Sequence, residues 1–175
     1  MNTYIVLLRG INVSGKNKLP MKDLREMLEK MKFKNVLTYI QSGNILLQSN
    51  SSKSEIAQSI HESINTKFGY SIPVIIRTPE EWNRAIDNYP FSLENEKIVA
   101  FSFLENGVGL EEIEVKGIND DQYKIVNDVV YLYCPSGFGK TKLTNNIIEK
   151  KLEVAATTRN LKTTLKMLEL SKEVN

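Results

Sequence analysis

The feature that most constrains this chain is the order in which β-rich runs and helical stripes alternate between residues 3 and 77. Thr3 to Leu8 is almost continuously apolar and predicts a central strand. Pro20 suits a first helical position, and Met21, Leu24, Met27, Leu28 and Met31 follow at helical spacing. Lys30, Lys32 and Lys34 sit where a helix C-terminus favours positive charge. Val36 to Ile40 and Asn44 to Gln48 predict two strands joined through Gln41-Ser42-Gly43, whose glycine supplies the positive φ of a tight turn. The polar stretch Ser49 to Ser54 leads into a helix with Ile56, Ile60, Ile64 and Phe68 on one face. Pro73 to Arg77 predicts a fourth strand.

Strand, helix, two strands, helix, strand is the βαββαβ order of ferredoxin-like domains. Thr78-Pro79-Glu80-Glu81 then reads as a capping box opening a short helix through Trp82 and Ile86, which Pro90 ends. Phe91 to Glu96 is the expected boundary between halves. Beyond it, Lys97 to Leu104 predicts a strand and Asn106-Gly107 a turn, while Leu110 to Val115 fits a short helix or an extended connection equally. Tyr123 to Val126 and Val129 to Tyr133 flank a hairpin turn at Asn127-Asp128. A helix carries Leu143, Ile147, Ile148 and Leu152, and Thr157-Thr158-Arg159-Asn160 reads as a polar turn before a last helix with Leu161, Leu165 and Leu168. The expectation is an α+β protein of duplicated ferredoxin-like units, residues 1–90 and a degenerate copy at 91–175. Small units bury proportionally little surface, so the halves are expected to share an interface or a continuous sheet.

Composition narrows the chemistry. The 23 Lys and Arg against 21 Asp and Glu leave a net charge of +2, too little to predict nucleic-acid binding from bulk charge. One cysteine, Cys134, and one histidine, His61, provide neither an internal disulfide nor a zinc-type ligand set, so no structural metal and no cofactor is expected, while carboxylate-held magnesium stays open because such ligands need no fixed spacing. The apolar run at Tyr4 to Leu8 is too short for a signal peptide or a membrane span, which makes the cytoplasm the default compartment.

Two loops approach the phosphate-cradling pattern GxxxxGK[ST]. Gly10 to Asn17 fits except that asparagine replaces the final hydroxyl, and Cys134 to Thr141 fits except that cysteine replaces the first glycine. Pro20 delays the helix after the first loop, and the chain after the second is too short for a parallel nucleotide-binding sheet, so a nucleoside triphosphatase is not expected. A softer reading survives. Lys16 and Lys18, Lys140 and Lys142, and Arg159 and Lys162 all lie near expected helix starts, where cations oppose the helix dipole. Such ends have free N–H groups that receive anions. On this reading Arg9, Lys16, Lys140 and Arg159 contact an anion, and Asn12, Asn17, Gln41, Ser42, Asn44 and Asn160 furnish neutral hydrogen bonds. The competing reading makes these Asn and Ser residues plain turn and cap formers, with Asn160 an N-cap.

Other candidates are weaker. His61 lies beside the Ile60 stripe as a rim residue, Cys134 ends an apolar strand as a small buried hydrophobe, and the acidic residues from Glu111 to Asp121 read as a solvated face. Tyr39, Tyr131 and Tyr133 stack on bases only if they face outward.

The blocks Leu8-Arg9-Gly10-Ile11-Asn12-Val13, Gly15-Lys16-Asn17, Tyr39-Ile40-Gln41-Ser42-Gly43-Asn44 and Thr158-Arg159-Asn160 resemble the bacterial family of proteins known as domain of unknown function 1697. Pro135, Gly137, Gly139 and Thr141-Lys142-Leu143 are similar to that family's late loop, while Leu161 stands where the family usually has tryptophan. The resemblance implies an α+β, duplicated ferredoxin-like arrangement and assigns no activity. The function expected is a cytoplasmic binding module for a phosphorylated small molecule or a nucleic-acid backbone, monomeric or weakly self-associating. The alternatives are an enzyme of phosphoryl or acyl transfer and a protein-interaction domain.

Overall fold

The computed structural model describes residues 1–174. The chain packs as two compact units, Met1–Arg84 with Met167–Asn175, and Ala85–Lys166. The division falls inside the third helix, ahead of the boundary expected at Phe91 to Glu96. Tyr89 and Phe91 explain this: Tyr89 lies 5.2 Å from Phe101 and 5.7 Å from Tyr131, Phe91 lies 5.6 Å from Tyr133, and the Tyr89 hydroxyl donates to Leu132 O at 2.8 Å. Aromatic packing thus draws the segment onto the second sheet.

The first unit contains β1 (Asn2–Leu8), α1 (Met21–Lys30), β2 (Lys34–Tyr39), β3 (Asn44–Ser49), α2 (Lys53–Phe68), β4 (Val74–Arg77) and the start of α3 (Pro79–Asp87). Its strands form one antiparallel sheet in the order β2-β3-β1-β4. Strand alternation sends Tyr4, Val6, Leu8, Ile45, Leu47, Val74 and Ile76 into a core with Leu24, Leu28, Ile56, Ile60 and Ile64 of the helices. Pro20 precedes the first helix as its cap residue, one position before the place expected. Ser52 and Glu55 close a capping box on α2, and Thr78 and Glu81 exchange the same pair of bonds at 3.2 and 2.9 Å on α3.

The second unit continues through β5 (Val99–Leu104), β6 (Gln122–Val126), β7 (Val129–Tyr133), α4 (Asn145–Leu152), β8 (Ala156–Asn160) and the start of α5 (Leu161–Glu173). Its sheet has the order β6-β7-β5-β8, so among the described residues the strands form two four-stranded sheets rather than a continuous one. Leu110 to Val115 adopts neither helix nor strand. Instead Val108, Ile113, Val115 and Ile118 pack from this long connection onto the second core. The expected polar turn at Thr157 to Asn160 is corrected to strand β8. Arg159 pairs in register with Phe101 and Thr158 with Ser102. Free pairing positions on β5, together with two β-branched threonines, override the turn propensity of the polar residues.

Candidate functional site

The Arg9 to Lys18 loop is a miniature hairpin. Val13 and Lys16 form an isolated antiparallel bridge, with Lys16 N donating to Val13 O at 2.9 Å and Asn12 N to Asn17 O at 3.1 Å. Ser14 and Gly15, at φ 50° and 74°, make the two-residue turn between them. Consecutive left-handed residues are what a tight hairpin of this kind requires. The glycine and asparagine pattern is therefore accounted for by the turn, and these N–H groups point at carbonyls of the loop itself.

The side chains of the loop are committed in the same way. Asn12 Nδ2 donates to Leu19 O at 2.9 Å and to Gln41 O at 2.8 Å, while its Oδ1 accepts from Leu19 N at 2.8 Å. Both amide hydrogens of Asn12 are thus spent. Asn17 Nδ2 donates to Gly10 O at 2.9 Å. Asn44, buried, donates to Tyr39 O at 3.1 Å and Ser42 Oγ at 2.9 Å. Gly43, at φ 80°, brings the β2–β3 turn against β1, with Leu8 N donating to Gly43 O at 2.9 Å. Arg9, Asn12, Lys16, Asn17, Gln41, Ser42 and Asn44 consequently come together on two mutually tied loops of the first unit. Arg9 is half-buried, and Lys16, Lys18 and Gln41 are exposed.

In the second unit, Lys140 is exposed on the loop that resembled a phosphate cradle. That loop already encloses an anion of its own chain. Asp121 accepts Ser136 Oγ at 2.6 Å on Oδ2, and Ser136 N at 3.1 Å on Oδ1. Gly137 N donates to Cys134 O, and Lys140 N and Thr141 N both donate to Gly137 O. Burial pushes the Asp121 carboxyl up, but hydrogen bonds from Ser136 and Thr141 outweigh it and hold the group below its ordinary value. At 4% exposure Asp121 departs from the solvated acidic face expected of its neighbours. Nothing in its local sequence marks it, because its partner lies fifteen residues away.

Arg159 is buried in β8, where Nη1 donates to Thr157 Oγ1 at 2.6 Å and to Thr158 O at 3.0 Å. Burial lowers its guanidinium to about 10. Asn160 caps α5, accepting Thr163 N on Oδ1 at 2.8 Å. Thr144 caps α4 four residues after Lys140. Hence Lys140 is a loop residue, and Arg159 is a buried strand residue directly before the cap of α5.

His61 Nδ1 is bonded to Ile72 O at 2.7 Å. Cys134 is fully buried, and burial together with the negative charge of Asp121 pushes its thiol up to about 11. Tyr131 is buried in the aromatic cluster. A polar recess of about 400 Å³ among Met1, Thr3, Thr78 and Glu80 contains none of the residues that the sequence singled out. Among the described residues there is no cluster of metal-ligating side chains, and no helix is long and apolar enough to cross a membrane.

The family model described as Protein of unknown function (DUF1697) matches residues 1–131, three-quarters of the chain and all of the paired loops. The chain belongs to this family. A solved member of the same fold is the conserved bacterial protein SP0830 from Streptococcus pneumoniae, to which the chain is 24% identical. The superposition has a TM-score of 0.73 and covers 97% of this chain and 98% of that one. No curated protein matches.

Proposed function

We propose that this member of the DUF1697 family is a recognition module whose first unit receives an anionic, phosphate-bearing ligand on loops 9–20 and 40–43. The observation that carries the reading is the double tie of Asn12 to Leu19 and Gln41. It fixes the hairpin that presents Lys16 and Lys18. No carboxylate occurs at residues 9–22 or 30–54, so cations presented there have no acidic neighbour in either loop. Among the described residues neither lysine is held in an ion pair. Rigid loops that present cations reduce the ordering cost of binding.

Both a small phosphorylated molecule and a nucleic-acid backbone have the required chemistry. Recognition of bases by stacking is not part of the proposal, because Ile5, Leu7, Leu46 and Ile75, on the sheet face opposite the helices, are all buried. Lys140 and Arg159 are left out, since the first lies on the loop that encloses the internal Asp121 anion and the second is buried. Recognition is preferred to catalysis because His61 is engaged with a backbone carbonyl and the Cys134 thiol is raised. We also read the two sheets, which share one strand order, as a duplicated ferredoxin-like arrangement over residues 1–90 and 91–175, with a loop in place of the first helix of the second copy.

The test is titration with inorganic pyrophosphate and with fluorescent single- and double-stranded oligonucleotides at several salt concentrations. A backbone ligand loses affinity with a log–log slope of roughly 0.9 per phosphate neutralised on B-DNA. Lys16→Ala with Lys18→Ala abolishes binding on this reading. Absence of binding to all probes, or binding that the double variant retains, disproves it.

A further inference from the structure

Ile40 combines two features that a side chain seldom carries together. It is β-branched yet lies at φ 51°, a left-handed conformation that glycine or asparagine adopts far more readily. It is also 51% exposed, so its side chain returns little burial to the fold. Strain without stabilisation marks a position that is kept for something other than folding. Val13, at the hairpin tip, is 56% exposed, and the bond from Asn12 to Gln41 ties the two tips together. Phosphate has no use for two aliphatic side chains. A partner that fits these tips offers aliphatic surface beside carboxylates.

The chain carries one such segment. In Leu110-Glu111-Glu112-Ile113-Glu114, Leu110 is 50% exposed and the three glutamates are exposed. Tyr123 sets its shape: the phenol accepts from Ile113 N at 3.0 Å and donates to Ile113 O at 2.9 Å. Ile113 then packs against the second core, and Leu110 and the glutamates are left outward. Val13, Lys16, Lys18 and Ile40 on the tips and Leu110, Glu111, Glu112 and Glu114 on the segment are all exposed, and their charges are opposite.

We infer that loops 12–18 and 40–43 of one copy dock segment 110–114 of a second copy, Ile40 and Val13 against Leu110, and Lys16 and Lys18 facing Glu111 and Glu112. The inference shares its lysines with the proposed anion site but stands on Ile40 and Val13.

Sedimentation velocity from micromolar to millimolar chain at low salt tests it. Reversible association that weakens as salt rises is expected. Lys16→Glu with Lys18→Glu abolishes it, as does Glu111→Lys with Glu112→Lys, and an equimolar mixture of the two variants associates again. Ile40→Asn weakens association about tenfold, the scale of one lost anchor. A chain monomeric at millimolar concentration, association indifferent to both charge reversals, or a mixture that fails to associate overturns the inference. Loss of pyrophosphate binding with association intact would count against the anion reading alone.

Discussion

The Asp121 carboxylate takes the Ser136 hydroxyl at 2.6 Å and the Ser136 backbone N–H at 3.1 Å, fastening the turn after β7 to the segment before β6. Removing it by Asp121→Ala takes the acceptor from Ser136 and from Thr141 and costs about 1–3 kcal/mol, read as a lower urea midpoint. The pH dependence has a definite sign. A carboxyl held low in the folded state contributes stability that is present above its unfolded pKa and lost as pH falls through the folded value. Wild-type stability should therefore decline on acidification more steeply than that of Asp121→Ala. Parallel profiles would contradict the assignment.

Asn12 acts on the fold and Lys16 does not. Asn12→Ala removes three hydrogen bonds and leaves Leu19 N without its acceptor, at a cost of about 1–3 kcal/mol. Lys16→Ala, at an exposed tip, is expected within about 0.5 kcal/mol of wild type. Amide hydrogen exchange at Leu19 separates the two, accelerating only in the Asn12 variant.

Gly43 tolerates no side chain. A Cβ there would stand 2.7 Å from Leu8 Cβ and 3.0 Å from Ile11 Cδ1, at φ 80°. Gly43→Ala is expected to destabilise by about 2–4 kcal/mol, from the clash and the left-handed backbone together. Thermal unfolding reads this directly. Gly15→Ala, with nothing within 4 Å of its Cβ, serves as the milder control.

Cys134 is expected to resist thiol reagents at neutral pH, because burial and the Asp121 charge keep it protonated. Labelling should follow urea unfolding. Rapid labelling of the native chain would show the loop to be open.

Ser102 faces the second core, and among the described residues its hydroxyl has no hydrogen-bond partner. Ser102→Ala is expected to stabilise by about 1 kcal/mol, since an unmade buried hydrogen bond is relieved. In the first unit the corresponding register position, between Ile45 and Ile76, is held by Val6.

Local chemistry made much of the architecture legible in the sequence. The helical stripe of α2, the capping box at Thr78 and the two hairpins follow from spacing and turn propensity, which act within a few residues. The packing of Tyr89 and Phe91 on the second sheet was not legible, because Tyr131 and Tyr133, which they meet on β7, lie about forty residues further along the chain. The candidate site was legible only as a composition of polar turns. Asn12 and Asn17 carry the same residue types whether they hold a ligand or a carbonyl, and only the folded loop shows that they hold carbonyls.

The succession of strands and helices, and the apolar faces that bury them, follow from periodicity, which is written into neighbouring residues. Tertiary structure alone decided the fate of the polar residues. Arg159 became a strand residue because β5 offered it a pairing position, Asp121 became buried because Ser136 arrived with its donors, and Ile40 was left exposed and strained at a loop tip. The physical reason is common to all three: a polar group or an unusual φ is neutral until its partners are known, and those partners are distant in the chain.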